Sequence, residues 1–284
     1  MAIAGARYVR GNPRVDAFLE STGRLYMYVT DRAPSYAIAN SLLLATLLTG
    51  LASAAGAEPA PTVGSVHDRP DAAARVIEPT ASYQPRAIRG WKVYVSRKLI
   101  EAPNDLGTRA LELLDAKLLE VERVVPPDSL ARVKQVVIWM EKDNQAGACH
   151  HPSRRWLEQN GYNPDKAGAV EIGNAEHFLE WSKHQPMMVL HELAHALHHR
   201  FVPDGHKNAD ILAAYEKAVA DNRYDSVLIH NGRRGRAYAM KNCMEYFAEL
   251  SEAWFGTNDI YPFVRAELRE HDPAGAALME TIWR

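Results

Sequence analysis

The segment that most constrains the fold is MMVLHELAHALHHRF, Met187–Phe201. Leu190, Leu193, Ala194 and Leu197 follow i, i+3, i+4, i+7 spacing, so one stripe of a helix is apolar and has to pack on a core. His191 and His195 are four residues apart, which puts both imidazoles on one side of that helix, with Glu192 next to the first. A helix that buries one stripe and offers two imidazoles and a carboxylate from another belongs in the wall of a cleft.

The rest of the chain can supply the core. Of 284 residues 47% are apolar, which suits a globular protein with a sizeable interior. A net charge of -2 gives no electrostatic reason to expect nucleic acid or an anionic membrane as partner. The N-terminal third reads differently. SLLLATLLTGLASAAGAEPAPT, Ser41–Thr62, is an apolar run that turns small-residue-rich, with Arg32 upstream and Ala55-Gly56-Ala57 before Glu58. This pattern is expected of a secretory signal peptide over residues 27–57, with Met27 as the start and residues 1–26 as a gene-model extension or a disordered N-terminus. The alternative is a membrane anchor reaching back to Ala37, but the apolar run is shorter than a good span needs. An exported protein without stable membrane association after cleavage is therefore expected. Residues 58–86 are rich in Pro, Ala and charge, without a period, and read as a linker; the folded domain is expected over 87–284.

Within that domain Trp91–Ile100 alternates and reads as a strand, Leu106–Val125 has helical spacing after Asn104 or Asp105, and Val133–Asp143 reads as a strand buried on both faces. A long loop with Gly147, Pro152, Gly161 and Pro164 follows, then a short strand at Gly168–Asn174, with Ala169–Ile172 at a sheet edge. Helices are expected at Ala175–His184, at the histidine segment, from Ala209 to Ala220, and from Asn242 to a stop at Gly256, with a hairpin turning at Asn231-Gly232 between the last two. Strands first and helices later give an α+β class, with a small mixed or antiparallel sheet packed on helices.

His191-Glu192-x-x-His195 is the H-E-x-x-H pattern, in which two neutral imidazoles bind zinc and the glutamate sits beside the metal as a general base. His198 and His199 read as solvated or satisfied bystanders, His150 and His151 as exposed loop residues, and Arg154, Arg155 and Lys166 as solvated surface charge. Two histidines do not make a site, and several third ligands are open. The continuation H-x-x-G-x-x-H fails, because His198 stands where Gly belongs and Phe201 where the last His belongs. Glu245 in MEYFAELSEAWFG is favoured, with Glu249 one turn on as the carboxylate that accepts the free N–H of a ligand histidine and Glu252 continuing that face. Phe247, Leu250 and Trp254 hold that helix to the core. Asp259 in GTNDIY is the rival; it is similar to the G-T-x-D motif of aspartate-ligated zinc peptidases, although Tyr261 comes one residue too early. Cys149 and Cys243 permit one disulfide, two free thiols, or a role for Cys149 near the metal.

HELAH followed by YAMKNCMEYFAE resembles the zinc peptidase domain of anthrax lethal factor and related zincin-like bacterial proteins. The resemblance covers Met187–Phe201 and Ala237–Phe255. It implies that Glu245, opening Glu-aromatic-aromatic-Ala-Glu, is the third zinc ligand, and that Tyr238, seven residues before it, assists catalysis from across the metal. The implied activity is zinc-dependent hydrolysis of a peptide or protein substrate. Two other readings stay open: a zinc hydrolase of a non-peptide amide, and a non-catalytic zinc-containing binding protein.

Overall fold

The computed structural model describes residues 15–19, 25–29 and 77–284. Most of the expected extension, signal peptide and linker lies outside these residues. The chain divides into two compact units, Met1–Glu58 and Pro59–Arg284. The first contains strand β1 (Val15–Leu19) paired antiparallel with β2 (Leu25–Val29), Val15 opposite Val29.

The second unit carries everything else. Strand β3 (Tyr83–Ile88) begins inside the stretch read as linker and turns into β4 (Trp91–Ser96). The two-residue turn uses Arg89 (φ 47°) and Gly90 (φ 83°), both left-handed, the twist that suits a tight hairpin. The strand expected to run to Ile100 stops at Ser96, and Arg97–Ile100 forms the one-turn helix α1, which buries Leu99. Helix α2 (Leu106–Val124) lays Ala110, Leu114, Leu118 and Val121 into the core. After Pro126 comes α3 (Pro127–Val133), then β5 (Ile138–Met140). The long strand expected over Val133–Asp143 is thus three residues, because Val133 ends a helix and Val136 sits in the turn after it. A continuous apolar run does not distinguish buried helix from buried strand.

The larger departure comes next. Residues expected to loop form β6 (Asp143–His150) and the short helix α4 (Arg154–Gln159). Strand β7 (Val170–Asn174) follows, so the sheet order is β3-β4-β5-β7-β6. Strands β4, β5 and β7 are parallel; β3 and β6 run antiparallel to their neighbours. The segment expected at the sheet edge is therefore interior, and β6 is the terminal strand. Helix α5 (Ala175–Trp181) starts on Asn174, whose side chain accepts from the His177 N–H at 2.9 Å. The class is α+β with a mixed sheet, as expected.

Helix α6 (Met188–Arg200) carries the histidines, and its Leu190, Leu193, Ala194 and Leu197 are fully buried. Helix α7 (Ala209–Ala220) leads to a minimal hairpin, β8 (Val227–Leu228) with β9 (Arg234–Gly235), and Ile229 beside it also bridges to Ile260. Helix α8 (Cys243–Phe255) packs on α6 and is followed by α9 (Arg265–His271) and α10 (Pro273–Ile282). Asn242 caps α8, accepting from the Met244 and Glu245 N–H groups at 2.9 Å each. At its other end Gly256 lies where an added Cβ would meet Met187, so the end of α8 touches the start of α6.

Candidate metal centre

Helix α8 is buried from Glu245 to Phe255, including its acidic side: Glu245, Glu249 and Glu252 are only 8%, 3% and 2% exposed. Three carboxylates removed from water need partners, and α6 supplies them for Glu245 and Glu252. Glu245 Oε2 lies 3.3 Å from His191 Nε2 and 3.1 Å from His195 Nε2, and the two Nε2 atoms are 3.1 Å apart. The imidazole rings meet edge to face, centroids 4.7 Å apart. Four-residue spacing on α6 and the first turn of α8 thus bring three donor atoms to one point. Zinc bonds of roughly 2.0–2.2 Å in a tetrahedral shell separate ligand atoms by about 3.3 Å, so this donor set fits a divalent cation.

The partner of His191 differs from expectation. His191 Nδ1 donates to Glu252 Oε1 at 2.7 Å, not to Glu249. Asn258, in the segment that follows α8, donates to Glu249 Oε2 at 3.1 Å and holds that carboxylate. The Glu252 bond keeps the proton on Nδ1 and leaves the Nε2 lone pair for a cation. Asp259 is buried in the same cavity but lies outside the Glu245 group; it meets His230 at 3.6 Å and Gln185 at 3.4 Å.

Glu192 is 7% exposed, and its Oε2 has no hydrogen-bond partner among the described residues. Burial raises its pKa, while His195 and His191 pull it down. For Glu245, burial opposes ionisation, but the bonds from His191 and His195 outweigh it and hold the carboxyl well below its ordinary value. Tyr238 stands in a single turn of tight helix just before α8, and its hydroxyl donates to Glu245 Oε1 at 3.1 Å. Burial and the Glu245 charge push its pKa up, so it stays a proton-bearing donor. These groups line a cavity of about 570 Å³, together with Met188, Trp156, Trp181 and Ile260.

Several outlying residues are not where sequence reading put them. His198 is fully buried against Phe247, ring centroids 5.1 Å apart, and is not solvated. His199 Nδ1 lies 3.1 Å from His150 Nε2, and His150 Nδ1 lies 3.0 Å from the Ala169 carbonyl. His150 closes a strand and His151 follows it, 2% exposed; neither belongs to an open loop. Lys166, read as surface charge, is 2% exposed and joined to Glu141 at 2.6 Å and Glu171 at 2.8 Å. Arg154 does stay at the surface, 3.2 Å from Asp165. Cys149 and Cys243 form no disulfide; Cys149 Sγ lies 3.4 Å from His151 Nε2. Reading 143–150 as loop hid all of this, because Gly147 and polar side chains mask the strand.

No protein-family model and no curated protein matches the chain. Among solved structures, one similar chain is the Pro-Pro endopeptidase PPEP-2 from Paenibacillus alvei, at 16% identity over 62% of this chain and 90% of that one, with a TM-score of 0.35. A likeness that loose assigns neither fold family nor activity to this chain, whose function has to be argued from its own residues.

Proposed function

We propose that the chain is an exported zinc metallopeptidase of the glutamate-ligated zincin type, similar in its active-site chemistry to the lethal factor peptidase domain. The observation that carries this is the convergence of His191 Nε2, His195 Nε2 and Glu245 Oε2 within 3.3 Å of one another, with Glu192 beside them in a cavity. A cation needed only for structure has no use for Glu192 or for an open position at a cleft. Zinc held there supplies Lewis acidity toward a scissile carbonyl and makes water a better nucleophile. Glu192 takes the proton from the attacking water and delivers it to the leaving amine. Tyr238 donates its hydroxyl proton to the developing oxyanion. Glu252 fixes the ring of His191. Strand β6, the terminal strand beside the cavity, replaces Ala169–Ile172 as the strand that pairs with an extended peptide by β-addition. Export rests on the apolar run and Ala55-Gly56-Ala57, which lie outside the described residues. No helix of the described residues is long and apolar enough to cross a membrane.

The test is metal content and cleavage of a mixed peptide library by the wild type, Glu192→Gln and Glu245→Ala. The expected result is one zinc in wild type, retained without cleavage in Glu192→Gln and weakened in Glu245→Ala. Zinc bound by a wild type that cleaves simple amides and no peptide replaces this reading with the non-peptide amide hydrolase.

A further inference from the structure

A second group of metal-ligating atoms lies beside the same cavity, on β6, just after it and on β7. Cys149 and Glu171 are directly paired across β6 and β7, and His151 follows two residues after Cys149. Cys149 Sγ is 3.4 Å from His151 Nε2, and that same nitrogen is 2.5 Å from Glu171 Oε2. All three donor atoms lie within 4.8 Å of one another. We infer that Cys149, His151 and Glu171 form a second divalent-cation site, suited to zinc, separate from the one between α6 and α8.

Three observations carry this. The first is hydrogen-bond accounting. One imidazole nitrogen has either a single N–H or a single lone pair. If Nε2 donates to Glu171, the Cys149 sulfur beside it can share that N–H only as a weak acceptor; if Nε2 carries a lone pair, it turns that lone pair to a carboxylate. A cation at the centre serves all three donors together. The same crowding of nitrogen and oxygen donors marks the His191, His195 and Glu245 group.

The second is charge. Glu171 and Glu141 are 0% and 3% exposed and share one ammonium, that of Lys166. Tyr83 and Asn144 add neutral donors, at 2.5 Å to Glu141 Oε1 and 2.7 Å to Glu171 Oε1. One negative charge is left over in a place removed from water, where an unpaired charge is costly. A protonated His151 balances it, and so does a divalent cation with a Cys149 thiolate. The two states differ in whether metal is bound, which makes the choice measurable.

The third is the shape of the donor set. Lys166 and Asn144 both occupy Glu171 Oε1, so Oε2 is the oxygen left to face His151 and Cys149. A ligating carboxylate anchored through its other oxygen is the usual arrangement around a bound metal. The sulfur–nitrogen separation already matches a tetrahedral zinc shell; the His151–Glu171 contact has to open by roughly 0.8 Å. Cys149 and His151 line the cavity, which gives a cation its way in. Sulfur, nitrogen and oxygen donors together suit zinc or cobalt better than calcium or magnesium. A cation here ties the end of β6 to β7 and so braces the strand proposed to receive substrate.

The test is cobalt(II) titration of the reduced, metal-stripped protein, following the thiolate-to-cobalt charge-transfer absorption in the near ultraviolet. None of His191, His195 and Glu245 bears sulfur, so this absorption reports on cobalt bound through a cysteine thiolate. The expected result is a thiolate band that saturates by two cobalts per chain in wild type and in Cys243→Ser, where both sites fill, by one cobalt per chain in Glu245→Ala, and no such band in Cys149→Ser. A wild type without a thiolate band overturns the inference, and so does a band that survives Cys149→Ser. Neither result touches the peptidase reading, which stands or falls on peptide cleavage and metal content in wild type, Glu192→Gln and Glu245→Ala.

Discussion

His198 makes the sharpest test of the packing between α6 and α8. It is 0% exposed, wedged between Phe247 and His206 with ring centroids at 5.1 and 5.0 Å, and neither of its ring nitrogens has a hydrogen-bond partner among the described residues. Burial, with the neighbouring histidines adding to it, drives its pKa down from 6.5 to about 3. The folded chain keeps His198 neutral and the unfolded chain lets it protonate. Its contribution to stability is therefore intact above the unfolded value and is lost as pH falls from there toward the folded value. Between pH 7 and pH 5 the unfolded state gains nearly a full proton that the folded state does not, which costs about 2 kcal/mol. His198→Leu keeps an apolar group of similar bulk and removes the titration. Urea unfolding of both chains at the two pH values, in chelator so that ligand histidines act alike in each, should show the wild type losing about 2 kcal/mol more than the variant. Equal losses would refute the reasoning, since His198 would then be carrying its proton inside the fold.

The remaining predictions concern the site and its frame. Glu252→Gln should weaken zinc binding about 10–100-fold, while Glu249→Gln should cost far less; competition with a chromophoric chelator measures both, and the reverse order would return Glu249 to the role sequence reading gave it. Glu192→Gln should lower peptide turnover by about 10²–10⁴-fold with zinc retained. Tyr238→Phe should cut kcat by about 10²–10³-fold with little change in zinc content, and an unchanged kcat would remove it from the chemistry. Gly275→Ala places a methyl group against Leu250, Tyr246 Oη at 2.7 Å and Asp272 Oδ2 at 2.8 Å, and should destabilise by about 1–3 kcal/mol in thermal or urea unfolding.

What could be read from the sequence depended on how local the cause was. Four-residue spacing on a single helix is a local property, so His191, Glu192 and His195 were legible together. Glu245 and Tyr238 were legible as a motif, and the structure brings Glu245 to those histidines and Tyr238 to Glu245. Choosing between Glu249 and Glu252 was a different problem, because both lie on the same face of α8 and the outcome turned on Asn258, beyond the end of the helix. Strand β6 was missed for a related reason. Its residues alternate weakly, and its pairing with β7 is interrupted between Asp143 and Ala148, so no short window carries the signal. Lys166 and His151 look like surface residues because Glu141 is remote from Lys166 in sequence, and Glu171 from His151, and only the sheet brings them together.

The two ends of that sheet are chemically unequal. At one end β3 exposes Gln84, Pro85, Arg86 and Ala87. Proline has no N–H to offer a further strand, and a charged neighbour discourages stacking. The other terminal strand, β6, contains no proline and runs beside the cavity. The sheet is therefore a template with one working side. A second copy of the chain cannot readily add to the β3 side, and anything that adds to the β6 side takes the place an extended substrate would occupy. With substrate on β6 as proposed, self-association through that edge would compete with it for the same backbone groups.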